Sequence, residues 1–115
     1  MDSRKSTFHA AFGGYQRHAR DRKFAFEISE ERVHQLFDGD CFYCGASPIP
    51  KQVKTRRSSF ARNGIDRVNS EIGYLEGNVV SCCEDCNIAK MKRSATDFID
   101  HCRRVTEHQA RAAVA

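Results

Sequence analysis

The sequence predicts a small α+β domain, and three observations carry that prediction. Apolar residues recur at helical spacing near each end of the chain. Between them, two short β-prone runs separated by turn residues read as a hairpin. Two Cys-x-x-Cys pairs, Cys41–Cys44 and Cys83–Cys86, bracket this middle part. They read as a staple for a chain too short to bury a large core.

Phe8, Phe12, Tyr15 and Ala19 predict an amphipathic helix over residues 5–20, with the apolar side in the core, although Gly13 and Gly14 weaken it. Arg17, Arg20, Arg22 and Lys23 follow at its C-terminal end, where cations suit the helix dipole. Phe24, Phe26 and Ile28 alternate as a short strand would. Ser29 before Glu30 and Glu31 is a helix N-cap with an acidic first turn, and Val33, Leu36 and Phe37 give that helix its apolar face. Residues 45–62 read as the least structured stretch, since Pro48 and Pro50 oppose regular structure at its start. Gly64–Val68 reads as a strand, Ser70–Gly73 as a turn, and a second strand starts at Asn78. A helix follows from about Glu84 to near Arg93. Ser94 and Asp97 then open a last helix whose buried face is Phe98, Ile99, Cys102 and Val105, with a fraying tail over 110–115. The chain reads as one domain, residues 1–115. It comprises a helical and basic region 1–40, a knuckle and hairpin core 41–93, and a C-terminal helix 94–109.

The 115 residues are 40% hydrophobic, in the range of a globular domain. No apolar run approaches the roughly 18 residues of a membrane span, and Met1–Lys5 lacks the apolar core of a secretory signal. A cytoplasmic protein with no membrane association is expected. In a reducing compartment the six cysteines point to metal rather than disulfides. Two residues between cysteines let both thiolates reach one ion from a tight turn, so Cys41, Cys44, Cys83 and Cys86 predict a tetrahedral structural zinc site with no open position. Cys82 could replace Cys83, but Cys83 repeats the spacing of the first pair. Cys82 and Cys102 then read as small core residues. The net charge of +4 is a weak pointer to a polyanionic partner. Its distribution is more informative: residues 45–62 carry Lys51, Lys54, Arg56, Arg57 and Arg62 and no acidic residue.

Gly64-Ile65-Asp66-Arg67-Val68, Gly73-Tyr74, Gly77-Asn78-Val79-Val80 and Cys83-x-x-Cys86-Asn87-x-x-Lys90, in that order, resemble the HNH endonucleases, whose fold is the ββα-metal hairpin. The string is similar to the small stand-alone HNH proteins of phages and prophages. The motif covers residues 63–90; with the first knuckle and the N-terminal helix the resemblance spans most of residues 8–105. It implies a nuclease that hydrolyses phosphodiester bonds, with double-stranded DNA as the expected substrate. It also implies a catalytic Mg²⁺ or Mn²⁺ held by Asp66 and Asn87. Both offer hard oxygens, and two protein ligands leave positions for water and a phosphate oxygen. Asn78 would hold the hairpin loop by bonding backbone, and Lys90 would face phosphate, joined by Lys54, Arg56, Arg57 and Arg62 from the basic stretch.

One position departs from the family. Where its pattern places the general-base His, directly after the metal-binding Asp, this chain has Arg67. A guanidinium cannot take a proton, and losing a positioned base typically costs ~10²–10⁴-fold in rate. Arg67 would instead clamp the phosphate or the developing charge, with water activated by the metal or by another group, for which His101, His108, His34, His18 and His9 are the candidates. His101 is preferred among them for its place in the helix after the motif. The alternatives are a nucleic-acid-binding module that no longer cuts and a zinc-ribbon-like protein-interaction module. A second, weak divalent site abolished by Asp66→Ala separates the nuclease from the latter.

Overall fold

The computed structural model describes residues 3–52 and 59–114. Helix α1 (Ser3–Asp21) buries Phe8, Ala11 and Ala19, with Phe12 and Tyr15 packed beside them. The two glycines do not interrupt it, because a helix tolerates glycine at about 1 kcal/mol each when one face is well buried. Strand β1 is only Phe26–Glu27. Helix α2 (Glu30–Asp38) starts where predicted: the Ser29 side chain accepts from the Arg32 amide at 3.0 Å. Its Val33, Leu36 and Phe37 are all within 2% of full burial. These rings and branches, with the face of α1, form the core.

The stretch expected to be least structured contains a hairpin. Strands β2 (Ile49–Gln52) and β3 (Ser59–Arg62) pair antiparallel, with Pro50 opposite Ala61. Pro50 is tolerated because a two-stranded sheet is all edge, so its missing N–H need not leave a partner unsatisfied. Strands β4 (Gly64–Arg67), β5 (Tyr74–Leu75) and β6 (Val79–Cys82) follow, with a 3-10 turn at Glu76–Asn78 before β6. β4 and β6 form the central antiparallel hairpin, Asp66 opposite Val80, while β5 pairs parallel with β1.

Helix α3 (Glu84–Lys90) comes directly off β6, completing a ββα unit. It ends three residues earlier than the sequence suggests, at Met91, which has φ 53°. Helix α4 (Ala95–Val114) is anchored at its start, where the Ala95 amide donates to the Val68 carbonyl at 3.0 Å. Its Phe98 packs edge-on against Tyr43. Beyond that turn the expected buried face is not realised: Ile99 is 45% and Val105 49% exposed, and Cys102 is exposed as well. The helix also continues through the residues expected to fray. It runs out from the body of a molecule 59 Å long and 20 Å thick, so those side chains have no neighbouring layer to meet. Among the described residues, no helix is long and apolar enough to cross a membrane.

Candidate active site

The two Cys-x-x-Cys pairs converge on one point. The ligand sulfurs of Cys41, Cys44, Cys83 and Cys86 all lie within 4.8 Å of one another, and those of Cys44 and Cys83 are 3.6 Å apart. Sulfurs about 2.3 Å from a tetrahedral zinc would be about 3.8 Å apart, so the cluster fits a zinc site. The first knuckle is shaped by backbone bonds. The Gly45 amide donates to the Cys41 carbonyl at 2.9 Å, and Gly45 takes φ 79°, a conformation that suits glycine. The second knuckle is the start of α3, where the Cys83 sulfur accepts from the Cys86 amide.

The thiols repel one another's ionisation. Burial, then the neighbouring Cys83 and Cys44 thiols, push the Cys86 thiol up. At Cys41 burial works the same way, but backbone hydrogen bonds from Cys44, Cys83 and Tyr43 outweigh it and bring the thiol down to about 6. A cation among the sulfurs would relieve this repulsion. Cys82 stands outside the cluster, 1% exposed, with its thiol pushed up by burial, so it is a core residue as expected. Cys102 is not, since α4 leaves it exposed.

Asp66 lies on β4 beside this cluster and is buried. Its carboxylate accepts a 2.6 Å hydrogen bond from the Tyr43 hydroxyl and sits 3.3 Å from the Lys90 ammonium. Tyr43 lies between the two cysteines of the first knuckle, so the sulfur cluster positions a direct contact to the carboxylate. Burial and then the bond to Asp66 push the Tyr43 hydroxyl far up, keeping it a donor. Nothing in the sequence marked Tyr43 beyond its place in the knuckle.

Lys90 departs from its expected place on phosphate. It is wholly buried, and its ammonium also donates to the Arg67 carbonyl at 3.1 Å. α3 turns this residue inward under the hairpin, where the long side chain can reach Asp66. Asn87, one turn earlier on α3, is exposed.

Asp66, Asn87 and Arg67 all line one open cavity of about 1100 Å³ between the hairpin, α3 and the end of α1. Asp66 is a buried carboxylate and Asn87 an exposed amide, so the two oxygen donors expected to hold Mg²⁺ or Mn²⁺ both border this cavity. Arg67 is partly engaged by the protein. Its Nη1 donates to the Ser70 carbonyl at 2.5 Å and the Ile72 carbonyl at 3.1 Å, and its guanidinium lies 4.0 Å over the Phe24 ring. Asn78 is buried in the same loop. Its amide nitrogen donates to the carbonyls of Asn69, Ile72 and Gly73, and its oxygen accepts from the Asn69 amide.

Of the basic side chains in residues 45–62, only that of Arg62 is described. Arg62 on β3 is half-buried with its guanidinium over the core rings of Phe37 and Phe60. Lys54, Arg56 and Arg57 lie outside the described residues. His101, the preferred base, does not line the cavity, because α4 leads away from it; His18 on α1 does.

No family model matches the chain. An uncharacterized protein of Acanthamoeba polyphaga mimivirus is 29% identical over 93 residues, covering 81% of this chain but only 16% of the viral protein's length. Among solved structures, the rare-cutting HNH restriction endonuclease PacI superposes with a TM-score of 0.63 at 18% identity, covering 94% of this chain and 82% of that one. At that identity the likeness concerns architecture. The chain has the HNH fold, a ββα unit held beside a four-cysteine cluster.

Proposed function

We propose that this chain is a metal-dependent endonuclease of the HNH type that hydrolyses phosphodiester bonds in DNA. The observation that carries the reading is that Asp66 on the hairpin and Asn87 on its helix open onto one cavity within that fold. Asp66 and Asn87 would hold Mg²⁺ or Mn²⁺, and Cys41, Cys44, Cys83 and Cys86 a structural Zn²⁺. A divalent ion bound between Asp66 and Asn87 supplies charge to polarise the phosphate and stabilise the leaving oxygen.

The remaining roles belong to the chain. Tyr43 and Lys90 orient the Asp66 carboxylate. Asn78 holds the loop that carries Arg67, and Arg67 presents a fixed cation toward the cavity for phosphate, its bonds to the loop both running from Nη1. Lys54, Arg56 and Arg57 add sequence-independent contact with the phosphate backbone. Neutralising Arg56 and Arg57 together should therefore flatten the salt dependence of binding.

The test is nicking of supercoiled plasmid by zinc-loaded protein with Mg²⁺ or Mn²⁺, against EDTA and an Asp66→Ala, Asn87→Ala double variant. Cleavage that needs the ion and vanishes in the variant supports the reading. Salt-sensitive binding without cleavage, on duplex, nicked and branched DNA alike, would replace it with a nucleic-acid-binding module.

A further inference from the structure

Arg67 leaves the nuclease reading without a group to accept the proton of the attacking water, and the geometry points to His18 as that general base. This inference rests on the nuclease reading. The five histidines of the chain are separated by their surroundings. His9 is hydrogen-bonded to Glu30 at 2.8 Å on the far side of α1 from the hairpin site. His34 is stacked on Phe8 with ring centroids 3.5 Å apart. His101 and His108 belong to α4, which does not reach the cavity. His18 is exposed and lines the cavity that Asp66, Arg67 and Asn87 line.

Its position is built rather than incidental. Tyr15 lies one turn before His18 on α1, on nearly the same side of the helix. The Tyr15 hydroxyl accepts a 3.0 Å hydrogen bond from the amide of Ile65, the residue next to Asp66. This approach is possible because residue 64 is glycine: a Cβ there would stand 2.7 Å from the Tyr15 oxygen. Ala19, the next residue, is 1% exposed and anchors this turn of α1 in the core. The end of α1 is thus fastened to the strand that carries Asp66, and the exposed His18 lines the cavity beside it.

The other side chains of the cavity are poorer proton acceptors. Arg22, Arg67 and Lys92 are cations, and burial keeps the Tyr15 hydroxyl protonated. Asp66 is engaged by Tyr43 and Lys90, which leaves Glu71 as the competing carboxylate, and a carboxylate is in general a weaker base than an imidazole. In the step, an imidazole nitrogen takes a proton from water and the water oxygen bonds to phosphorus. The bond from phosphorus to the leaving sugar oxygen breaks, and that oxygen takes a proton from solvent. The imidazolium then returns its proton to bulk water.

The experiment compares plasmid nicking by wild type, His18→Ala, Glu71→Gln and the Asp66→Ala, Asn87→Ala variant, in Mn²⁺, with and without added imidazole. His18→Ala should lose about 10²–10⁴-fold in rate while keeping its zinc content and melting temperature, as expected for an exposed side chain. Imidazole should restore a measurable part of that loss, because the cavity is open to solvent. Glu71→Gln should cut at close to the wild-type rate. Nicking by His18→Ala at the wild-type rate, or a loss that imidazole does not reverse, overturns the assignment. If wild type cuts and the metal-ligand variant does not, that failure concerns His18 alone. If wild type cuts none of the duplex, nicked and branched DNAs, the nuclease reading fails and His18 with it.

Discussion

Lys90→Met would remove a fully buried ammonium 3.3 Å from a carboxylate that is itself 8% exposed. At an effective dielectric of 20, two unit charges at that distance attract by about 5 kcal/mol. The desolvation of both groups offsets part of this, but removing one partner leaves the other buried and uncompensated, which costs about 3–5 kcal/mol. The Arg67 carbonyl loses its 3.1 Å donor in the same change. For a domain of this size, 1 kcal/mol corresponds to about 3–5 °C, so the melting temperature should fall by roughly 10–20 °C at fixed zinc. Adding Asp66→Asn should recover much of the loss, since no unpaired charge then remains. Mn²⁺ should stabilise Lys90→Met more than wild type, by supplying the missing positive charge at Asp66. Circular dichroism melts of the four proteins measure all three effects. A loss below 1 kcal/mol in Lys90→Met, or a double variant whose cost is the sum of the singles, would refute a tight buried pair.

Tyr43→Phe deletes the 2.6 Å bond to Asp66 and should leave zinc stoichiometry intact while costing about 1–3 kcal/mol; unchanged stability and Mn²⁺ affinity would show that the knuckle does not orient the carboxylate. Acidification should release zinc, because each thiolate must regain a proton to leave the ion, and a chromogenic chelator follows the release; metal retained at low pH would count against four thiolate ligands. Gly64→Ala should cost about 1–3 kcal/mol by pushing on the Tyr15 hydroxyl 2.7 Å away, and much less in a Tyr15→Phe background, as urea melts would show. Val105→Asp should change stability by no more than about 0.5 kcal/mol, since the side chain is 49% exposed; a larger loss would mean that α4 is covered in solution.

The parts of the fold that were legible in the sequence are those fixed by local chemistry. Ser29 marked the start of α2 because a hydroxyl must satisfy an orphan amide there, and Val33, Leu36 and Phe37 marked its buried side. The β4–β6 hairpin followed from its turn residues, and the preference for Cys83 over Cys82 followed from knuckle geometry. The misreadings have a common cause. Ile99, Cys102 and Val105 have the right period for a buried stripe, but periodicity says which side of a helix is apolar and not whether another layer lies against it. Pro50 counted against a strand, yet an edge position removes the penalty, and edges are defined by the whole sheet. The resemblance puts Lys90 on phosphate, one turn after Asn87; its burial instead depends on Asp66, which is 24 residues away. His101 was preferred by sequence distance from the motif, and α4 then carries it away from the cavity.

Under the nuclease reading, the arginine at position 67 does structural work in the hairpin loop. An arginine there can reach the Ser70 and Ile72 carbonyls and stack on Phe24 at once, which ties the hairpin loop to the segment leaving α1. Asn78 bonds the Ile72 carbonyl from the other side, so the two side chains share an acceptor and fix the same turn. The loop gains rigidity from a group that cannot exchange protons. In the proposed nuclease, proton transfer would come from an element that reaches the cavity without belonging to the hairpin. α1 meets that condition because the bond from Ile65 to Tyr15 fastens it to β4. The same bond makes a structural demand: any variant that loosens Tyr15 should move His18 relative to Asp66. Tyr15→Phe should therefore lower the cleavage rate more than it lowers Mn²⁺ affinity, because Asp66 keeps its contacts with Tyr43 and Lys90 while only the His18 side chain is released.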